Sequence, residues 1–154
     1  MKKLLKYLLC LVLSISILPS ILPNNIYAND DIIQDENFNV EIEIGEPVYQ
    51  KGISTYSTTK TVSNYKKYYY KNDKGETLWI ATLTGTFEYN GSTSKCLSAS
   101  VSVSNISSGW QVFSKKASTS GNQAKASVIM RYTPAMSLYP VNFTLSCSPT
   151  GSFY

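Results

Sequence analysis

The chain has no histidine among its 154 residues. That absence removes the commonest general base, proton shuttle and zinc ligand, and with them most hydrolase and metal-site mechanisms. Carboxylates are scarce as well: from residue 58 to 154 the only acidic side chains are Asp73, Glu76 and Glu88. Glu76 and Glu88 stand twelve residues apart at the two ends of one extended stretch. At ~3.3 Å per residue that is roughly 40 Å, whereas a glycosidase pair needs about 5 to 10 Å. Asp73 and Glu76 flank a turn and read as solvated. Serines and lysines are plentiful, yet no G-x-S-x-G turn marks a nucleophile. Glycine (8) and proline (6) are too few for a collagen-like or wholly disordered chain. The expectation is one small non-enzymatic domain with no cofactor and no metal.

Long apolar runs are also missing. Residues 7–22 are apolar but broken by Ser14, Ser16, Pro19 and Ser20, and fall short of the ~20 residues needed to span a bilayer. With Lys2, Lys3 and Lys6 before that run and Ala28 after it, residues 1–28 have the three-part pattern of a secretory signal. Cys10 follows Leu8 and Leu9 inside the run, so it does not suit lipid attachment. The chain is expected to be secreted, extracellular or cell-wall associated, without stable membrane insertion.

The net charge of +4 conceals a division. Residues 29–57 hold Asp30, Asp31, Asp35, Glu36, Glu41, Glu43 and Glu46 against Lys51, whereas residues 58–154 hold nine lysines and Arg131 against three acids. The acidic stretch alternates at Val40, Ile42 and Ile44 before Gly45, Pro47 and Gly52. It reads as a leader or propeptide, with one edge strand if it pairs. It either keeps the exported chain soluble or lies along the basic domain and masks it.

From residue 58 onward the hydrophobic period is two. Leu97, Ala99, Val101 and Val103 alternate with Ser98, Ser100, Ser102 and Ser104. The same pattern runs through Trp79, Ala81, Leu83, Gly85 and Phe87, through Ala124, Ala126, Val128 and Met130, and through Val141, Phe143, Leu145 and Cys147. A shorter strand is expected at 110–114, and 59–70 is rich in β-formers. Turn signals separate them at Asn72-Asp73-Lys74-Gly75, Asn90-Gly91, Ser107-Ser108-Gly109, Ser120-Gly121-Asn122 and Thr133-Pro134. Strands with one apolar face must bury it against a second sheet. The fold class is therefore all-β: an antiparallel two-sheet sandwich of six to seven strands with Ig-like architecture.

Parity predicts a register. A two-residue loop at Asn90-Gly91 would oppose Leu83 to Ser98, core against surface. A three-residue loop, Tyr89-Asn90-Gly91 with a glycine bulge, would oppose Leu83 to Leu97, Ala81 to Ala99 and Trp79 to Val101.

After signal removal two cysteines remain, Cys96 and Cys147, and an even count in an exported chain predicts one disulfide. The alternation puts Cys96 on the serine face and Cys147 on the apolar face, so one strand must carry a bulge or twist at its end. A catalytic or metal-binding thiol pair would need a histidine, a third thiol or C-x-x-C spacing.

The run Leu78-Trp79, Leu83-Thr84-Gly85-Thr86-Phe87, Tyr89-Asn90-Gly91 and Cys96 is followed by Ser107-Ser108, Trp110, Lys115-Lys116-Ala117-Ser118 and Ser120-Gly121-Asn122 with Ala124. It closes on Leu145-Ser146-Cys147-Ser148 and Gly151. Over residues 58–154 it resembles a group of short exported proteins from low-GC Gram-positive bacteria that have no established activity. The resemblance implies export and a β domain, and transfers no catalytic or binding residue.

One local cluster suits recognition. Tyr65, Tyr68, Tyr69 and Tyr70 are interleaved with Lys66, Lys67, Lys71 and Lys74. Flat rings with polar tips beside ammonium groups suit a cell-wall polymer, an anionic glycan or a surface protein. As a strand the cluster puts Tyr65, Lys67 and Tyr69 on one face and Lys66, Tyr68 and Tyr70 on the other, so either set could be buried. Lys66, Lys67, Tyr68 and Tyr70 are the candidate binding residues; Trp79 and Trp110 read as core anchors. Nucleic acid is not expected as a partner, since the chain is exported and has no RNP-like motif. The reading is a secreted module that binds an anionic polymer or glycan. The alternative is a toxin-like or inhibitory effector activated by loss of the acidic leader.

Overall fold

Eight strands and no helix make up the regular structure of the described residues: β1 (Asn39–Ile44), β2 (Val48–Tyr49), β3 (Lys60–Lys71), β4 (Thr77–Tyr89), β5 (Ser94–Ser104), β6 (Trp110–Ser120), β7 (Gln123–Tyr132) and β8 (Ser137–Ser146). The structure, a computed structural model, describes residues 38–50 and 58–154. The expected signal at 1–28 and the expected boundary at residue 57 lie outside the described residues. All described residues belong to one unit, Ile32–Tyr154.

The strands form two antiparallel sheets. The five-stranded sheet runs β1-β3-β4-β5, with β2 also paired to β3, and the three-stranded sheet runs β6-β7-β8. The chain changes sheet once, between β5 and β6; β2 to β5 and β6 to β8 pair in sequence order, and β1 joins the same edge of β3 as β2. The topology is thus simpler than the crossed connections of an immunoglobulin domain.

Alternation places the core. Trp79, Ala81, Leu83 and Phe87 of β4 are fully buried, as are Ala124, Val128 and Met130 of β7 and Leu145 of β8. Between the sheets, Gly85 and Ala124 allow a close approach: a Cβ on Gly85 would lie 2.5 Å from the Phe87 ring and 3.0 Å from the Ala124 Cβ. One end of the core is aromatic. Tyr70 stacks on Trp79 with centroids 4.7 Å apart and planes at 13°, and Trp110 packs against Tyr132 and Tyr139 at 5.1 and 4.9 Å. The indole N–H of Trp79 is buried and has no hydrogen-bond partner.

The expected β4–β5 register is corrected. Leu83 faces Val101, Ala81 faces Val103 and Gly85 faces Ala99, while Tyr89 faces Ser94 across a four-residue loop. The Asn90 side-chain oxygen holds that loop, accepting from the N–H groups of Ser92 (3.0 Å) and Thr93 (2.8 Å) and from the Thr93 hydroxyl (3.2 Å). Gly91 takes a positive φ, but the odd residue that restores parity is Leu97, extruded in a bulge where Thr86 faces Ser98 and Phe87 faces Cys96. Leu97 is consequently exposed, and Cys96 turns inward to 3% exposure. β6 also runs beyond the expected 110–114, through Ser120, because backbone pairing to β7 continues where the side chains are polar.

The free edge of β8 is closed against further pairing. Pro140 brings no N–H to it, Lys66 donates to the Thr144 carbonyl at 2.8 Å, and Ser146 and Tyr154 exchange backbone bonds at 2.9 and 3.1 Å.

Candidate functional site

The tyrosine and lysine cluster lies on β3, and its faces are decided by neighbours rather than by its own composition. Tyr70 pairs with Trp79 and Tyr68 with Ala81, both core positions of β4, so the even-numbered residues face the opposing sheet. Tyr70 is 7% exposed, and Tyr68 lies 5.9 Å from Trp79 and 5.7 Å from Phe143, burial holding its hydroxyl above the ordinary tyrosine pKa. Lys66 snorkels along the same face to the Thr144 carbonyl. Of the four candidates, Lys67 alone faces outward. The structure does not bring Lys66, Lys67, Tyr68 and Tyr70 to one surface.

The outer face of β3 instead presents Tyr65, Lys67, Tyr69 and Lys71, and the acidic stretch lies against it. β1 pairs antiparallel with β3, setting Glu43 opposite Lys67 and Glu41 opposite Tyr69. Glu43 accepts from the Tyr65 hydroxyl (3.1 Å), the Lys67 ammonium (3.2 Å) and the Tyr69 hydroxyl (2.5 Å). These donors, Tyr69 first, hold the Glu43 carboxyl below its ordinary value, and Glu43 in turn raises Lys67 and Tyr69. Glu41 pairs with Lys71. Lys67 also lies 4.9 Å from the Tyr65 ring centre. A carboxylate with three donors is a structural acceptor, not a free base.

A second surface is open. On the outer face of the three-stranded sheet, Lys116, Ser127 and Asn142 stand in one cross-strand row and Ser118, Lys125 and Thr144 in the next. They line a shallow depression of about 330 Å³. Farther along the same face Arg131 lies 4.4 Å over the ring of Phe113, which a bulge between Val112 and Ser114 turns outward to 51% exposure. No acidic residue follows Glu88 in the chain, so β6, β7 and β8 bring lysine, arginine, hydroxyl and amide groups to this face and no carboxylate side chain of their own. The signal that marks it in sequence is that acid-free run, not a motif.

At the opposite end from the aromatic cluster, Cys96 and Cys147 are free, buried thiols. Burial raises both above the ordinary thiol value, and the charge of Cys96 adds to the rise at Cys147. The Cys96 N–H donates to the Gly121 carbonyl at 2.8 Å, and the Cys147 N–H donates to the Asn122 carbonyl at 3.1 Å. Among the described residues no group of three His, Cys, Asp or Glu side chains could hold a metal ion. Compared with protein-family models, with curated proteins and with solved structures, the chain matches none.

Proposed function

We propose that this protein is an exported, non-enzymatic binding domain for an anionic polymer or glycan of a cell surface, and that it works outside the cell or at the wall. The single observation that carries the reading is the outer face of the three-stranded sheet, where Lys116 and Lys125 flank a hydroxyl-lined depression with no carboxylate among the residues that line it. Diagonal ammonium groups attract a repeating anion, Ser118, Ser127, Asn142 and Thr144 offer hydrogen bonds to its hydroxyls, and Phe113 under Arg131 offers a ring for a sugar face. Export rests on the signal pattern of residues 1–28 and on the resemblance to exported Gram-positive proteins. In an oxidising compartment Cys96 and Cys147, which hang from consecutive carbonyls of one turn, form a disulfide that staples the two sheets of the sandwich.

The test is retention on purified Gram-positive cell walls at rising salt. Wild-type chain is expected to bind and to elute as salt screens the lysines. The Lys116→Ala, Lys125→Ala double variant is expected to bind at least tenfold more weakly, while Tyr70→Phe binds as wild type. Equal binding by the double variant would sink the assignment.

A second reading is favoured by β1, whose Glu41 and Glu43 occupy the only outward lysines and tyrosines of β3. In that reading the protein is a secreted effector, toxin-like or inhibitory, and loss of the acidic leader uncovers Tyr65, Lys67, Tyr69 and Lys71. Binding to the same walls that rises after Glu41→Gln, Glu43→Gln supports it; unchanged binding removes it.

A further inference from the structure

The edge of β3 is a strand-binding site that the chain fills with its own acidic strand. β3 is twelve residues long, and β1 and β2 pair with it only along the side that β4 leaves open. Without them that side would present a row of unpaired N–H and C=O groups, the template for adding a strand from another molecule. Recognition of the occupant is specific. Phe38 enters the aromatic cluster, 4.8 Å from Tyr70 and 5.8 Å from Tyr139, while Glu43 and Glu41 meet Lys67 and Lys71.

Yet the occupant is lightly held. Val40, Ile42 and Ile44 point to the same side as Tyr70, Tyr68 and Lys66 but remain 48%, 54% and 39% exposed, because the three-stranded sheet ends at β8 and does not reach over them. β1 thus contributes pairing, one ring and two ion pairs, and little burial of its aliphatic face.

We propose that β1 is an exchangeable strand and that the partner of the β3 edge is the β1 of a second copy of this chain, giving a reciprocal dimer. An exchanged strand makes every contact that it makes within one chain, so the two arrangements differ mainly in effective concentration. The leader is acidic and the rest of the chain basic, so the same attraction draws the leader of one copy to the β3 of another. Dilution favours the closed monomer, and high local concentration favours exchange.

Opposed charge reversals test this in the full chain. One variant carries Glu41→Lys and Glu43→Lys; the other carries Lys67→Glu and Lys71→Glu. Each alone sets like charges across its own β1–β3 ladder. When the two are mixed, strand exchange restores opposite charges at both ladders of the mixed dimer. Light scattering on a sizing column is expected to give monomers for each variant and a dimer for the mixture. Two variants that keep the near-ultraviolet signal of their buried tryptophans and stay monomeric when mixed would overturn the proposal. Where either fails to fold, wild-type chains bearing two different tags are denatured and refolded together at high concentration: capture of both tags on one resin supports exchange, and their separation overturns it.

Discussion

Cys96 and Cys147 hang from consecutive carbonyls of one turn, Gly121 and Asn122, although 50 residues of chain lie between them. The Cys147 carbonyl is held by the Ser94 hydroxyl at 2.6 Å and by the Asn122 amide at 2.9 Å, which ties β5, the β6–β7 turn and the end of β8 into one knot. The bulge at Leu97 is what turns Cys96 into it.

Mild oxidation is therefore expected to form the Cys96–Cys147 bond within one molecule. Closing a loop of about 50 residues adds on the order of 4 kcal/mol in the chain-entropy model. Denaturant melts of the oxidised and reduced chains would measure the difference, and mass spectrometry after alkylation in denaturant would count the thiols. Two alkylated thiols in the oxidised sample would refute the pairing. In the reduced chain, burial and the raised thiol values predict slow alkylation under native conditions at pH 7.

The two faces of β3 give a contrast between adjacent tyrosines. Tyr70 is buried against Trp79, Trp110 and Phe38, whereas Tyr69 lies outward with its hydroxyl on Glu43. Tyr70→Ala is expected to cost about 3 to 5 kcal/mol, the range for deleting a buried aromatic side chain. Tyr69→Ala should cost much less, since its side chain lies on the outer face of β3 and leaves no hole in the core. Urea melts of the two variants read this directly, and equal losses would mean that the face assignment of β3 is wrong.

Strands β4, β5, β7 and β8 were legible in the alternation of the sequence, since a half-buried strand writes its two faces in period two, whereas β3 showed only as a run of β-formers and β6 as a short strand. What was not legible depended on parity and partners. A single extruded residue, Leu97, shifts the register of a strand whose pattern looks unbroken. The outward Ser114, Ser118 and Ser120 of β6 give no apolar signal, so the strand reads short. On β3 both faces carry rings and lysines, and only the pairing of Tyr70 with Trp79 decides between them. The alternation of Val40, Ile42 and Ile44 was visible, but that Glu41 and Glu43 meet Lys71 and Lys67 depends on which edge β1 joins. The basic face of the three-stranded sheet needed two sheet pairings to bring Lys116 and Lys125 together.

Gly85 predicts a steep local cost. A valine there would drive its branches into the Phe87 ring and toward Ala124, both in the core and unable to move outward. Overpacking of this kind costs about 1 to 3 kcal/mol, and Phe87→Leu alongside Gly85→Val should recover part of it. A double-mutant cycle by thermal melts measures the coupling; strict additivity would show that the Phe87 ring is not the obstacle.

The hold of β1 should depend on pH at both ends. Glu43 is lowered from its ordinary 4.5 by the Tyr69, Lys67 and Tyr65 donors, so its contribution is fully present above that ordinary value and is lost as the pH falls through the lowered one. Lys67 is raised from 10.5 by Glu43, so its contribution is complete below 10.5 and disappears as the pH rises through the raised value. The ladder should be intact from about pH 5 to 9 and loosen in acid and in strong alkali. Amide chemical shifts of Glu41, Ile42 and Glu43 against those of Leu83 in the core distinguish local release from global unfolding. With Glu43→Gln the acid step should vanish from the β1 amides while the Leu83 signal stays unchanged. Persistence of that step in the variant would assign it to another carboxylate.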